Sequence, residues 1–295
     1  YNEMKRAKIF LILFLIFTPT RAQNQKSTWV VNREIKHFKN AISISGNNSN
    51  EIFVLDDGNE MLYKFSGEGE LLDSVGGKGW SELNFNGAKD VSATFPLSIF
   101  ITEENNRRIQ KLDRNFSLST IINYEVAKRE DESKFKPIAS TLSNQGELFV
   151  IEADYPSLLK FNANDNFEKE IAGKNIHSQL LQIPIDIVYL ENETIAVLEE
   201  NKIFIFDRLG NLLRKIKIKN QNIPKSISSF GENLLITYAE KIIAINSLGE
   251  EIFLIEPNLI VGAKNLSDFR DIFWSEPFLF LITQSDLLIL EKIHF

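Results

Sequence analysis

Ile52-Phe53-Val54-Leu55-Asp56 is a short apolar run closed by an acid, and the chain repeats it. The same column reads Ile99-Phe100-Ile101-Thr102-Glu103, Leu148-Phe149-Val150-Ile151-Glu152 and Ile195-Ala196-Val197-Leu198-Glu199. Two looser copies follow, Leu234-Leu235-Ile236-Thr237-Tyr238 and Leu279-Phe280-Leu281-Ile282-Thr283. Each run has the length and the β-branched or aromatic character of a strand. A period of about 45 residues built from short strands is the sequence mark of a β-propeller blade.

The flanks of the first run fill in the rest of a blade. Ala41 to Ser45 reads as an inner strand, Glu51 to Asp56 as the second, Met61 to Phe65 as the third and Leu71 to Val75 as the outer one. Gly46-Asn47-Asn48, Asp57-Gly58-Asn59 and Ser66-Gly67-Glu68-Gly69 separate them, as turn residues separate antiparallel strands. Six such cassettes begin near Asn40, Trp80, Phe135, Ile183, Asn222 and Leu266. The last lacks an outer strand. Trp29 to Ile35 is expected to supply it, pairing the two ends of the domain in one blade and removing an exposed sheet edge. The fold expected is therefore all-β, one six-bladed propeller over residues 27–295, with its ring closed by an N-terminal strand. The charged segment Ala127 to Lys134 reads as a solvated loop.

The second cassette carries a more specific pattern. Gly76-Gly77-Lys78-Gly79 precedes Phe85-Asn86, and Glu103, Asn106, Arg108, Ile109 and Gln110 follow. This resembles the NHL repeat of six-bladed propellers, a ring type shared with TolB-like domains. Ala88 stands where that repeat has proline, and Glu103 where it has aspartate. The resemblance implies the propeller fold. Its members include protein binders, RNA binders and a few lyases, so it leaves function open. Read from the residues alone, Asn106 suits a tight turn, and Arg108 is expected to reach an acid on a neighbouring blade.

Residues 1–22 read as a secretory signal peptide. Basic Lys5, Arg6 and Lys8 lead into the apolar run Ile9 to Phe17, and Thr20-Arg21-Ala22 offers a cleavage site after Ala22. Tyr1 to Glu3 precede the start at Met4 as an upstream extension. The apolar run is too short to span a bilayer. A periplasmic or secreted location follows as an expectation, with no stable membrane insertion after cleavage. The leader takes a net charge of +3 with it (Lys5, Arg6, Lys8 and Arg21 against Glu3), which turns −7 for the whole chain into −10. An acidic domain is a poor match for nucleic acid. The chain has no cysteine, which excludes thiol catalysis, disulfides and cysteine-ligated metals.

Catalytic motifs are missing. There is no G-x-S-x-G elbow and no H-E-x-x-H pair, and His37, His177 and His294 are far apart. No catalytic residue, metal ligand or cofactor is expected. The constellation left is acidic. Asp56, Glu103, Glu152 and Glu199 end the second strands of successive blades, with Asp57, Glu104, Asp154 and Glu200 just beyond. Equivalent positions of a propeller lie on one face, so these eight residues are the candidate site for a protein or small-molecule ligand. The alternative is that acids merely solvate strand ends. The function expected is that of an exported, monomeric, non-enzymatic binding or scaffold protein. The competing expectation is a metal-dependent lactonase-like hydrolase or a lyase on the same ring.

Overall fold

The computed structural model describes residues 28–94, 97–128, 130, 135–173, 181–219, 222–263 and 266–293. The expected leader and its cleavage site, His177 and His294 lie outside the described residues. Among the described residues the strands form six separate sheets. The first blade holds β2 (Ala41–Gly46), β3 (Glu51–Asp56), β4 (Met61–Ser66) and β5 (Leu71–Gly76). The second holds β6 (Ala88–Ser92), β7 (Ile99–Glu103), β8 (Arg108–Leu112) and β9 (Leu118–Ile122). The third holds β10 (Pro137–Leu142), β11 (Leu148–Glu152), β12 (Ser157–Phe161) and β13 (Phe167–Ala172). The fourth holds β14 (Pro184–Tyr189), β15 (Thr194–Glu199), β16 (Lys202–Asp207) and β17 (Leu212–Lys217). The fifth holds β18 (Ser226–Phe230), β19 (Asn233–Tyr238), β20 (Lys241–Ile245) and β21 (Glu251–Ile255).

The sixth blade joins β23 (Asp271–Ser275), β24 (Phe278–Ile282) and β25 (Asp286–Ile293) to β1 (Thr28–Lys36). β1 runs antiparallel to β25, from Thr28 opposite Ile293 to Lys36 opposite Asp286. The ring is thus closed by an N-terminal strand, as the missing outer strand demanded. A two-residue strand, β22 (Ile260–Val261), pairs in parallel with the free side of β1 and shortens its open edge. Trp29 is fully buried between the fifth and sixth blades, edge-on to Trp274.

Stacking explains why the second strands read as unbroken apolar runs. Each is covered on both faces by neighbouring blades, so no polar alternation is tolerated. Every residue of β3, β7 and β11 is buried. Six apolar clusters fill the six junctions between blades. The outer strand β5 is exposed along four of its six residues. The turn between third and fourth strands needs a left-handed residue, supplied by Gly69, Gly210 and Gly249 in three blades and by Phe116 and Asp165 in two others. Of the charged segment expected to be a solvated loop, Lys128 and Glu130 are exposed, residues 129 and 131–134 lie outside the described residues, and only its first residue departs from the expectation. Ala127 is fully buried against the junction of the second and third blades, with Tyr124 and Val126 packed beside it. No helix among the described residues is long and apolar enough to cross a membrane.

Candidate functional site

Antiparallel order gives the ring two faces. Turns between second and third strands share one face with the connections between blades, and turns between first and second strands share the other. The acidic column stands on the first, which we call the connection face. Its carboxylates point inward. Asp56 is fully buried and accepts N–H bonds from Asn40 (2.8 Å), Lys39 (3.0 Å) and Gly58 (3.0 Å), and an amide bond from Asn59 (2.8 Å). Glu199 accepts the N–H of Gln182 and pairs with Lys202 at 3.0 Å. Glu152 accepts the Ser157 hydroxyl at 2.6 Å. In three blades, therefore, the acid holds the segment that leads into its own inner strand: 39–40, Asn86 and 182–183.

Glu103 is the centre of the largest of these networks. It accepts Arg108 Nε (2.8 Å), Gln110 Nε2 (2.9 Å), the Asn106 amide and the N–H of Asn86. Arg108 thus reaches the acid beside it in its own blade, because β7 and β8 pair Glu103 directly with Arg108. The remaining guanidinium N–H groups bond the carbonyls of Trp80 (2.9 Å), Ser81 (2.9 Å) and Asn84 (3.0 Å). Asn106 bonds the carbonyl of Gly79, and Gln110 both accepts Leu83 N–H and donates to Asn84. The connection 79–86 is therefore fastened along its length. Burial pushes the Glu103 carboxyl up despite Arg108.

The second layer of the column is divided. Glu104 pairs with Lys89 (3.0 Å) and Lys136 (2.9 Å), and Lys136 also reaches Asp154 (3.2 Å). Burial alone would raise the Glu104 carboxyl, but the two lysines outweigh it and hold it below the ordinary range. Asp154 and Glu200 are exposed, and Asp57 is half-buried.

A second set of acids lies on the inner strands. Asp90, Asp186 and Asp271 occupy equivalent positions of the second, fourth and sixth blades, opposite Thr102, Leu198 and Ile282. Ser43, Ala139 and Ser226 hold that position in the other three. Each aspartate accepts a backbone N–H from the next blade: Asp90 from Ser140 (2.8 Å), Asp186 from Ile227 (2.8 Å) and Asp271 from Ile44 (2.9 Å). Ser43 fastens another junction, donating to Asp90 (2.9 Å) and accepting Val91 N–H (3.2 Å). Inner strands of different blades make no ladder with one another, so these side chains supply the missing acceptors. Burial pushes Asp90 up to about 6 and Asp271 up to about 7. Burial and the like charges of Asp90 and Asp271 push Asp186 well above its ordinary value. These three were not among the sequence candidates. Their signal was a column two residues after Ala41, Ala88, Pro137, Pro184, Pro224 and Phe269.

On the face opposite the connections, the channel opens into a basin of about 930 Å³. All six blades line it with their inner strands and first turns. Among the described residues no group of three or more His, Cys, Asp or Glu side chains is arranged to hold a metal ion.

The chain shares this fold with solved six-bladed propellers. Virginiamycin B lyase from Staphylococcus aureus superimposes with a TM-score of 0.60 at 13% identity, over 88% of this chain and 99% of that one. A gluconolactonase from Xanthomonas campestris gives 0.67 at 12%, over 88% and 90%. A nidogen/laminin complex gives 0.58 at 13%, over 74% and 80%. At such identity the likeness is one of fold. No protein-family model matches the chain, and no curated protein matches it.

Proposed function

We propose that this is an exported, non-enzymatic binding protein that holds a protein partner against its connection face. One observation carries the reading: the fastened connection 79–86 presents Trp80 to solvent, 66% exposed. Three side chains of one blade are spent on the carbonyls around it. A large aromatic group carried on a backbone fixed before contact is an economical way to build an interface anchor. Ile183, Ile223 and Tyr155 are exposed on the same face, among Asp154 and Glu200. Apolar anchors with an acidic surround favour a partner whose own surface is basic. The leader-like residues 1–22 support export.

The test is retention of a partner from the native extracellular or periplasmic fraction by immobilised protein. Wild type should retain one partner stoichiometrically, and Trp80→Ala should weaken it by at least about tenfold, near 1.4 kcal/mol. Arg108→Lys should weaken it less, because it loosens the connection without removing the anchor. Equal retention by wild type and Trp80→Ala would sink the proposal. The competing reading, a metal-dependent lactonase-like hydrolase or a lyase, would be favoured by a thermal midpoint that rises with calcium, falls with EDTA and tracks lactone hydrolysis.

A further inference from the structure

The basin on the opposite face has a chemistry of its own. Among the described residues its lining contains no lysine, arginine or histidine, and its charged members are Glu191 and Glu276. Asp90, Asp186 and Asp271 lie in the channel beneath, where the inner strands continue the same walls. An anionic ligand would enter against carboxylates with nothing to pair with.

The neutral polar groups of the lining are partly spent and partly free. Asn47 uses its side chain on its own turn, accepting Ser49 N–H at 2.9 Å and donating to Glu51 at 2.9 Å. Asn144 and Asn233 also line the basin, and their side chains make no hydrogen bond within the described protein. Half-buried aromatic rings stand beside them. Trp274 is held edge-on by Phe230 at 4.5 Å between ring centres, and both contribute to the wall.

We infer that this basin binds a neutral polyhydroxylated ligand, a short oligosaccharide. Vicinal hydroxyls both donate and accept, which matches side-chain amides and carboxylates in mixture. The C–H faces of a sugar ring are apolar and suit the aromatic wall. The volume lies in the range of small-molecule sites and leaves room for more than one ring. The site lies across the ring from Trp80, so it is independent of the partner surface proposed above.

The experiment is isothermal titration of the full mature chain with maltotetraose, cellotetraose, xylotetraose and N-acetylchitotetraose, with Trp fluorescence as a second readout. At least one should bind with an affinity unchanged between 50 mM and 500 mM NaCl. Asn144→Ala, in a turn, combined with Asn233→Ala, at the start of β19, should weaken it by at least about tenfold. Trp80→Ala should leave it unchanged. Circular dichroism establishes that each variant is folded. The inference is overturned by no binding from the panel, or by binding that the double variant does not weaken. Binding of spermidine in their place, abolished by 500 mM NaCl, would also overturn it, since it would make the basin a site for amines.

Discussion

Two rings of acids run through this propeller, and they hold different things together. Asp56, Glu103 and Glu199 each tie the incoming segment to its own blade. Asp90, Asp186 and Asp271 each tie one blade to the next. The first ring sits where a blade's entry must be pinned, the second where six sheets with no shared ladder must be fastened around an axis. Both spend carboxylate oxygens on backbone N–H groups. The lesson is that a column of equivalent acids establishes where residues sit in a repeat and says nothing of where their oxygens point. Under the proposed function, display to a partner falls to other residues, Trp80 first among them.

The comparison breaks first if closure does not matter. Removing β1, residues 28–36, strips β25 of its partner and empties the Trp29 site between the fifth and sixth blades. The single cooperative thermal transition should be lost, as seen by circular dichroism. A variant melting like wild type would mean that the ring does not need its closing strand.

The next test sets a fully buried acid of the first ring against Glu104, a half-buried acid just beyond it. Asp56→Ala leaves the N–H groups of Lys39, Asn40 and Gly58 without their acceptor, and should cost about 2–4 kcal/mol in urea unfolding. Glu104→Gln, a partly screened pair, should cost under about 1 kcal/mol. Equal costs would erase the distinction between them.

The second ring predicts an unusual pH dependence. Its acids titrate higher in the folded ring than in the unfolded chain, so between pH 4 and pH 7 the folded state holds more protons. Stability should therefore rise as pH falls from 8 towards 5. Hydrogen bonds from Asn47, Lys64 and Arg114 outweigh the burial of Glu51 and hold it at about 2, so its stabilising contribution persists over that whole window. Asp271→Asn should flatten the rise, read from urea midpoints at pH 5, 6, 7 and 8. A slope equal to that of wild type would show that Asp271 ionises normally.

The legibility of the two rings differed for a physical reason. The second strands are covered on both sides, so Ile52 to Asp56 and its copies stand out as apolar runs ending in an acid. Ring closure by residues near Trp29 was legible because the last cassette was one strand short. The inner strands mix polarity, as in Ala88-Lys89-Asp90-Val91-Ser92, and a bulge between Ala88 and Asp90 breaks the alternation that would have marked the channel side. Asp90 and Asp186 were hidden for that reason, since a like bulge lies between Pro184 and Asp186, whereas Asp271 is the first residue of β23, before any alternation begins. β22, at two residues, is too short to leave a pattern. The direction of Arg108 depends on strand register, which pairs it with Glu103 across β7 and β8.

Amide hydrogen exchange at Ile44, Ser140 and Ile227 tests the fastening of alternate blades most directly. These three N–H groups donate to Asp271, Asp90 and Asp186 across blade junctions. They should exchange only through global unfolding, and Asp186→Ala should release Ile227 while leaving Ser140 protected. Exchange of all three at the rate of exposed turn amides would contradict the account.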